Sequence, residues 1–184
     1  KVNFDYYGVA ENEYGWWRIE GGKVNFDYYG IAENEYGWWK IEGGKVNFDY
    51  TGLADSDNGR MYVSNGGVDF GYTNVIQDGD VWVYVENGKV RYDYTGIREN
   101  ANGWWKIESG IVNFKFTGIA SNENGEFYIK DGKVDFDYSG TINQSDCIYT
   151  VKSGWVVSKE GISGIIKGVD VSHHNNDNGE GVLN

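Results

Sequence analysis

The stretch "GWWRIEGGKVNFDYYG", residues 15–30, returns almost unchanged as "GWWKIEGGKVNFDYTG" at 37–52, a shift of 22 residues. Self-similarity at a short fixed period marks a chain of supersecondary units, none of which can bury its apolar face alone, so neighbours must stack. Units start at Lys1, Lys23, Lys45, Val68, Lys89, Ile111 and Lys133, with a degenerate eighth start near Trp155. The pairs Gly21-Gly22, Asn65-Gly66, Asn87-Gly88, Ser109-Gly110 and Asp131-Gly132 are those favoured in two-residue hairpin turns, where positive φ must be tolerated. Each unit therefore reads as strand, loop, strand, tight turn. The fold expected is all-β, a solenoid of stacked two-stranded β-hairpins with about 22 residues per repeat.

Folding about Gly21-Gly22 sets Glu20 opposite Lys23, Ile19 opposite Val24 and Trp17 opposite Phe26. Because neighbouring side chains of a strand point to opposite faces, the two tryptophans of each doublet must separate. One face then carries Trp17, Ile19, Val24, Phe26 and Tyr28; the other carries Trp16, Arg18, Glu20, Asn25 and Tyr29. The repeats test which face is buried. The Trp17 position is occupied by Trp17, Trp39, Met61, Val83, Trp105, Phe127 and Tyr149, and the Phe26 position is always aromatic. These rows, with that of Tyr28, are expected to be core. The Trp16 position also accepts Arg60 and Glu126, and a site that takes charge is not deeply buried without a partner. Trp16, Trp38, Trp82 and Trp104 are therefore expected at or near the surface. The connecting stretches such as "VAENEY" carry one apolar anchor each, Val9, Ile31, Ile97 and Ile119, expected to lock each hairpin to the next.

Composition narrows the function. A net charge of −12 with 16 scattered Lys and Arg excludes nucleic acid as a partner, since phosphate binding needs a basic stripe. It favours a cationic ligand or a neutral sugar. The single cysteine, Cys147, allows no internal disulfide and reads as an incidental thiol. No apolar run reaches the length of a membrane span. The chain opens in mid-pattern at Lys1 without Met, which reads as a piece of something longer. Asp5, Asp27, Asp49, Asp93 and Asp137 form an outward row, with Glu11, Glu13, Glu33 and Glu35 in the loops, and both sets read as solvated charge. "DSDNG" at 55–59 misses the EF-hand spacing by a position, and His173 and His174 diverge if they lie on a strand, so no metal or cofactor is expected.

The units resemble the cell-wall-binding repeats of Gram-positive bacteria, a family that includes choline-binding modules. The resemblance covers residues 1–154. It implies a secreted protein of the cell wall or cell surface whose partner is a bacterial cell-wall polymer, peptidoglycan or teichoic acid. In choline-binding relatives, aromatic side chains from consecutive hairpins box an ammonium group; here "GWWxIE" followed by "VxFDY" replaces their usual "GW…WYYL" type of motif. A second, short resemblance lies in "IIKGVDVSHHN", residues 165–175, which is similar to the opening of a family 25 muramidase, a lysozyme. There Asp170 matches an active-site aspartate by position. Glycoside cleavage needs two carboxylates and that barrel needs roughly 200 residues or more, so 169–184 is read as an inactive start of such a domain. Residues 155–168, with the glycine-spaced "SKEGISGIIKG" from Ser158, are read as a terminal half-repeat and linker.

The expected role is a non-catalytic wall-binding module that anchors a peptidoglycan hydrolase. Its ligand would rest on Trp16, Trp38, Trp82 and Trp104, best at the junction of the first two units, where Trp16, Trp38, Tyr7 and Tyr29 could converge. Units with Arg60, Glu126 or Ile148 in the Trp16 position should be poor sites. The alternatives are choline or teichoic-acid binding in place of glycan binding, and a structural spacer stalk without ligand. Whether two rods pair into a homodimer is left open by the sequence.

Overall fold

The structure, a computed structural model, describes residues 3–162. Its elements come in sets of three, and the first set is β1 (Gly8–Asn12), β2 (Gly15–Glu20) and β3 (Lys23–Val24). Next come β4 (Gly30–Asn34), β5 (Gly37–Glu42), β6 (Lys45–Val46), β7 (Gly52–Ser56), β8 (Gly59–Ser64) and β9 (Gly67–Val68). The centre of the rod holds β10 (Asn74–Asp78), β11 (Val81–Glu86), β12 (Lys89–Val90), β13 (Gly96–Asn100), β14 (Gly103–Glu108) and β15 (Ile111–Val112). The last are β16 (Gly118–Asn122), β17 (Gly125–Lys130), β18 (Lys133–Val134), β19 (Gly140–Gln144), β20 (Cys147–Lys152) and β21 (Trp155–Gly161). All pair antiparallel in one open 21-stranded sheet. The expected all-β hairpin repeat is what the structure shows.

The hairpin arms differ from expectation. The long partner of β2 is β1, with Val9 opposite Arg18 and Glu11 opposite Trp16, so "GVAEN" is a strand and not a connecting loop. The predicted register across Gly21-Gly22 holds for Ile19 with Val24 and Glu20 with Lys23. It then stops. Asn25 Oδ1 accepts the Asp27 amide at 3.0 Å, the Asn25 carbonyl accepts the Tyr28 amide, and Phe26 and Asp27 become the tip of an Asx turn. Phe26 is therefore not core: it is 64% exposed, and Phe4, Phe48, Phe70, Tyr92, Phe114 and Phe136 are exposed with it. The Tyr28 row is half-buried, apart from the exposed Tyr6, with the Tyr28 hydroxyl donating to the Ile31 carbonyl at 2.8 Å.

Hairpins are stitched by the glycine at the second position of each tight turn. The Gly44 amide donates to the Tyr28 carbonyl, and its carbonyl accepts the Arg18 amide of the preceding hairpin at 2.8 Å. The same two bonds recur at Gly66, Gly88, Gly110, Gly132 and Gly154. Short strands reach back in the same way, β6 pairing with β2 through Trp17 and Lys45.

The core sits between consecutive hairpins. Val9 packs with Ala32, Ile41 and Val46, Ile31 with Ala54, Met61 and Val63, and Ile97 with Phe127, Ile129 and Val134. The four predicted anchors Val9, Ile31, Ile97 and Ile119 are all buried, each a contribution of roughly 1.5–3 kcal/mol. This stacking also corrects the reading of the tryptophan doublets. One face of each hairpin presses on the opposite face of the next, so both faces are interfaces. Trp16 meets Trp39 with ring centroids 4.9 Å apart, Trp82 meets Trp105 at 5.2 Å, and Trp104 meets Phe127 at 5.2 Å. Trp16, Trp38, Trp82 and Trp104 are half-buried rather than exposed. Arg60 occupies the same position because Asp55 and Asp78 pair with its guanidinium at 2.9 and 2.8 Å. In the second-tryptophan row Met61, Val83, Trp105, Phe127 and Tyr149 are buried, whereas Trp17 and Trp39 are half-buried.

The terminal strand β21 pairs with β20 from Lys152–Trp155 to Cys147–Gly161. Residues 158–161 of the expected linker are thus part of a strand. Its continuation, Asp170, His173 and His174 lie outside the described residues.

Candidate functional site

Where the first position of a hairpin holds a tryptophan, the junction builds a cell from that indole, the second-position residue of the next hairpin and that hairpin's turn aromatic. The first is Trp16, Trp39 and Phe48, with centroids 4.9–5.9 Å apart and rings at 68–79°. Trp82, Trp105 and Phe114 repeat it, as do Trp104, Phe127 and Phe136. Edge-to-face rings this close are touching and leave no room for a headgroup between them. A ligand can meet these cells only on their outer rims.

The opposite rim of the doublet face is saturated by the chain's own cations. Arg18 lies 5.0 Å over Tyr28, Lys40 lies 5.2 Å over Tyr50 and Lys106 lies 5.4 Å over Phe116. Where the position holds no cation a second ring replaces it, as in the stacked pair Tyr62 and Tyr72 at 3.6 Å.

Against that background one groove stands apart. Between the first two hairpins a cavity of about 550 Å³ is walled by Tyr6, Tyr7, Trp16 and Tyr36. Glu11, Glu33 and Glu35 line it too, and among the described residues no basic side chain does. Tyr36, on the turn from β4 to β5, stands 5.8 Å from Trp16 and is 73% exposed. The Glu35 carboxylate beside it pushes the Tyr36 phenol above its ordinary pKa, so the ring stays neutral. The floor is fixed by Asn34, whose amide donates to the Val9 carbonyl across the junction at 3.4 Å. A concave site with aromatic walls, three carboxylates and, among the described residues, no competing base has the chemistry to suit a cation.

Two other grooves are lined by the protein's own guanidinium groups. A cavity of about 410 Å³ beside Trp104 contains Arg98, whose guanidinium lies 4.5 Å from the Tyr94 ring centre and 2.9 Å from Glu123. The cavity beside Trp38, of about 190 Å³, contains Arg18.

Of the expected convergence, only Trp16 and Tyr7 share a groove. Trp38 lies in the next one along, because equivalent residues 22 apart fall in successive cells. Tyr29 lies in another, with Lys40, Tyr50 and Arg60. Tyr7 and Tyr29 occupy the position where Thr51, Thr73, Thr95 and Thr117 accept an amide of the turn below, for example Asn65 on Thr51 at 3.1 Å. Both tyrosines are exposed. Trp82 is packed on Trp105 and Phe114. Sequence reasoning missed Tyr6 and Tyr36 and counted Glu11, Glu33 and Glu35 as solvated charge. The signal available was the "ENEYGWW" turn, which appears complete only in the first two units. Among the described residues no three His, Cys, Asp or Glu side chains are grouped to hold a metal ion.

The chain belongs to the choline-binding repeat family. The family's repeat matches six consecutive segments, residues 5–25, 27–47, 49–69, 71–91, 93–113 and 115–135, more than half of the sequence. Such repeats are non-catalytic binding modules typical of surface-associated proteins. The hairpin β19–β20 follows the last matched segment, and the match does not reach residues 165–175. No curated protein matches the chain.

Proposed function

We propose that this chain is a surface-anchoring module that takes an alkylammonium headgroup of choline type, carried on a cell-wall polymer such as teichoic acid, in the groove of Tyr6, Tyr7, Trp16 and Tyr36. The observation that carries this reading is the groove's pairing of four rings with Glu11, Glu33 and Glu35, with no base among the described residues that line it. Each ring contributes roughly 0.5–2 kcal/mol to a cation, and the acidic chain raises the local cation concentration. A single site of this kind is weak. Holding a polymer at several points along the rod multiplies its effect through effective concentration. The cargo we read from "IIKGVDVSHHN" is a wall hydrolase, consistent with a module that keeps an enzyme on its substrate. Glycan binding has its own support in the row of exposed turn aromatics, Phe4 to Phe136, flat faces recurring once per repeat.

Calorimetric titration with choline chloride tests the reading. The double variant E33Q/E35Q keeps both side-chain volumes, and neither carboxylate is buried. It is expected to weaken binding about three- to tenfold, and raising salt should narrow the difference from wild type. Retention of the protein on choline-bearing wall material, and its release by free choline, is the second expected result. Wild-type protein that takes up no choline, or an E33Q/E35Q variant with unchanged affinity at low salt, contradicts it.

A further inference from the structure

We infer that the outer turns of three hairpins are sites of spontaneous covalent modification, at which Asn58, Asn102 and Asn124 lose their side-chain amides and become aspartate or isoaspartate. Asn65 and Asn87 share the same Asn-Gly step, and the stacking of the hairpins protects them. The inference is independent of the ligand the module takes.

Among the described residues five asparagines precede glycine, at 58, 65, 87, 102 and 124. The step favours one reaction because glycine has no side chain to shield its amide nitrogen. That nitrogen, after giving its proton to hydroxide, bonds to the asparagine Cγ; the Cγ–Nδ2 bond breaks and ammonia leaves. Water then opens the cyclic imide at either carbonyl, giving aspartate or isoaspartate. The rate depends on how readily the nitrogen and Cγ meet in the right geometry.

At Asn65 and Asn87 they cannot meet without breaking the stack. Gly66 and Gly88 are buried, and their amides donate to the Tyr50 and Tyr72 carbonyls at 2.9 and 2.8 Å. Their carbonyls accept the Lys40 and Tyr62 amides, both at 2.8 Å, and the two asparagines are held at φ of 49° and 51°. The outer turns are built differently. Asn58, Asn102 and Asn124 are exposed, and their own amides donate to Ser56 Oγ, Asn100 Oδ1 and Asn122 Oδ1, while their carboxamides bond to no described residue. Beside two of them stands an ammonium group. Lys89 Nζ lies 3.7 Å from where a Cβ on Gly59 would be, and Lys133 Nζ lies 3.1 Å from the same point on Gly103. A positive charge there favours the deprotonated glycine amide and the oxyanion that forms on attack. At Gly125 the neighbour is the Trp155 ring instead. The fold accepts the aspartate product, since Asp80 and Asp146 fill the equivalent position in two other hairpins. Asn58 lines the groove that contains Arg18 and Asn124 the one that contains Arg98, so each of these events adds a carboxylate to a groove already holding a guanidinium.

Peptide mapping by mass spectrometry gives the test, on the full chain aged in warm, mildly alkaline buffer, with isoaspartyl methyltransferase labelling to separate the two products. Asn58 and Asn102 should convert first and Asn124 more slowly. Asn65 and Asn87 should lag Asn58 by about tenfold or more, because their reaction waits on local opening of the stack. Unfolding the chain in urea should bring Asn65 and Asn87 to within about threefold of Asn58. K89M should slow Asn58 about three- to fivefold while Asn102 keeps its rate, and K133M should do the reverse. Circular dichroism of both variants keeps a folding defect apart from a chemical one. Folded protein in which Asn65 and Asn87 keep pace with Asn58, or in which no outer asparagine converts, overturns the inference. Unchanged rates in K89M and K133M overturn the role given to the two ammonium groups.

Discussion

Replacing Gly44 by alanine is expected to cost roughly 3 kcal/mol or more, whereas replacing its neighbour Gly43 by asparagine should change stability by only a few tenths. Both glycines have positive φ, +57° at Gly43 and +77° at Gly44, so conformation alone does not separate them. Neighbours do. A Cβ at Gly44 would be driven into the Asn25 carbonyl and would stand 2.9 Å from Phe26 Cα, all backbone of the turn beneath. Relief requires the turn to move, which breaks the bonds from Gly44 to Tyr28 and from Arg18 to Gly44 that join two hairpins. At Gly43 a Cβ meets nothing nearer than 3.5 Å. The chain itself performs the control, since Asn65, Asn87, Ser109 and Asp131 fill that position at φ of 49–51°. Thermal unfolding followed by circular dichroism checks the pair; equal losses for G44A and G43N would show that strain, not the inter-hairpin approach, sets the cost.

Phe127→Ala should destabilise the C-terminal third by about 3–5 kcal/mol. Phe127 is 0% exposed and is among the largest fully buried side chains. Its ring centre lies 4.4 Å from Trp155 and 5.2 Å from Trp104, and it packs with Ile97, Ile129 and Val134. Truncation leaves a cavity at a junction between two hairpins and under β21. In a stack where each unit contacts only its neighbours, such a lesion uncouples the end from the rest. Hydrogen exchange should therefore accelerate in β16–β21 while β4–β8 keep their protection. Uniform acceleration along the rod would refute this nearest-neighbour picture. Trp17 occupies the same position in the first described hairpin but is only partly buried, so Trp17→Ala should cost less.

Much of the architecture was legible because the sequence repeats each experiment. The glycine turns, the pairing of Ile19 with Val24 and the anchors Val9, Ile31, Ile97 and Ile119 follow from local chemistry that every unit restates. The turn at Asn25 did not. "VNFDY" alternates with period two as a strand does, and only the Asn25 side chain, by accepting the Asp27 amide, ends the strand and turns Phe26 outward. The tryptophan doublets misled for a global reason. Period-two logic rightly separates Trp16 from Trp17, but in a solenoid each side of a hairpin is covered by a neighbour, so neither indole is free. Arg60 looked like proof of exposure because its partner Asp78 lies 18 residues away on another hairpin. The groove escaped notice because its chemistry is assembled from two units, Glu11 and Trp16 from one, Glu33, Glu35 and Tyr36 from the next.

A crystal of the protein soaked in choline examines the central claim most directly. The account predicts a headgroup in the groove between the first two hairpins, its nitrogen within about 6 Å of both the Trp16 and Tyr36 ring centres and facing Glu11, Glu33 or Glu35. An empty groove at saturating choline, or a headgroup seated instead beside Arg98 or Arg18, would contradict it.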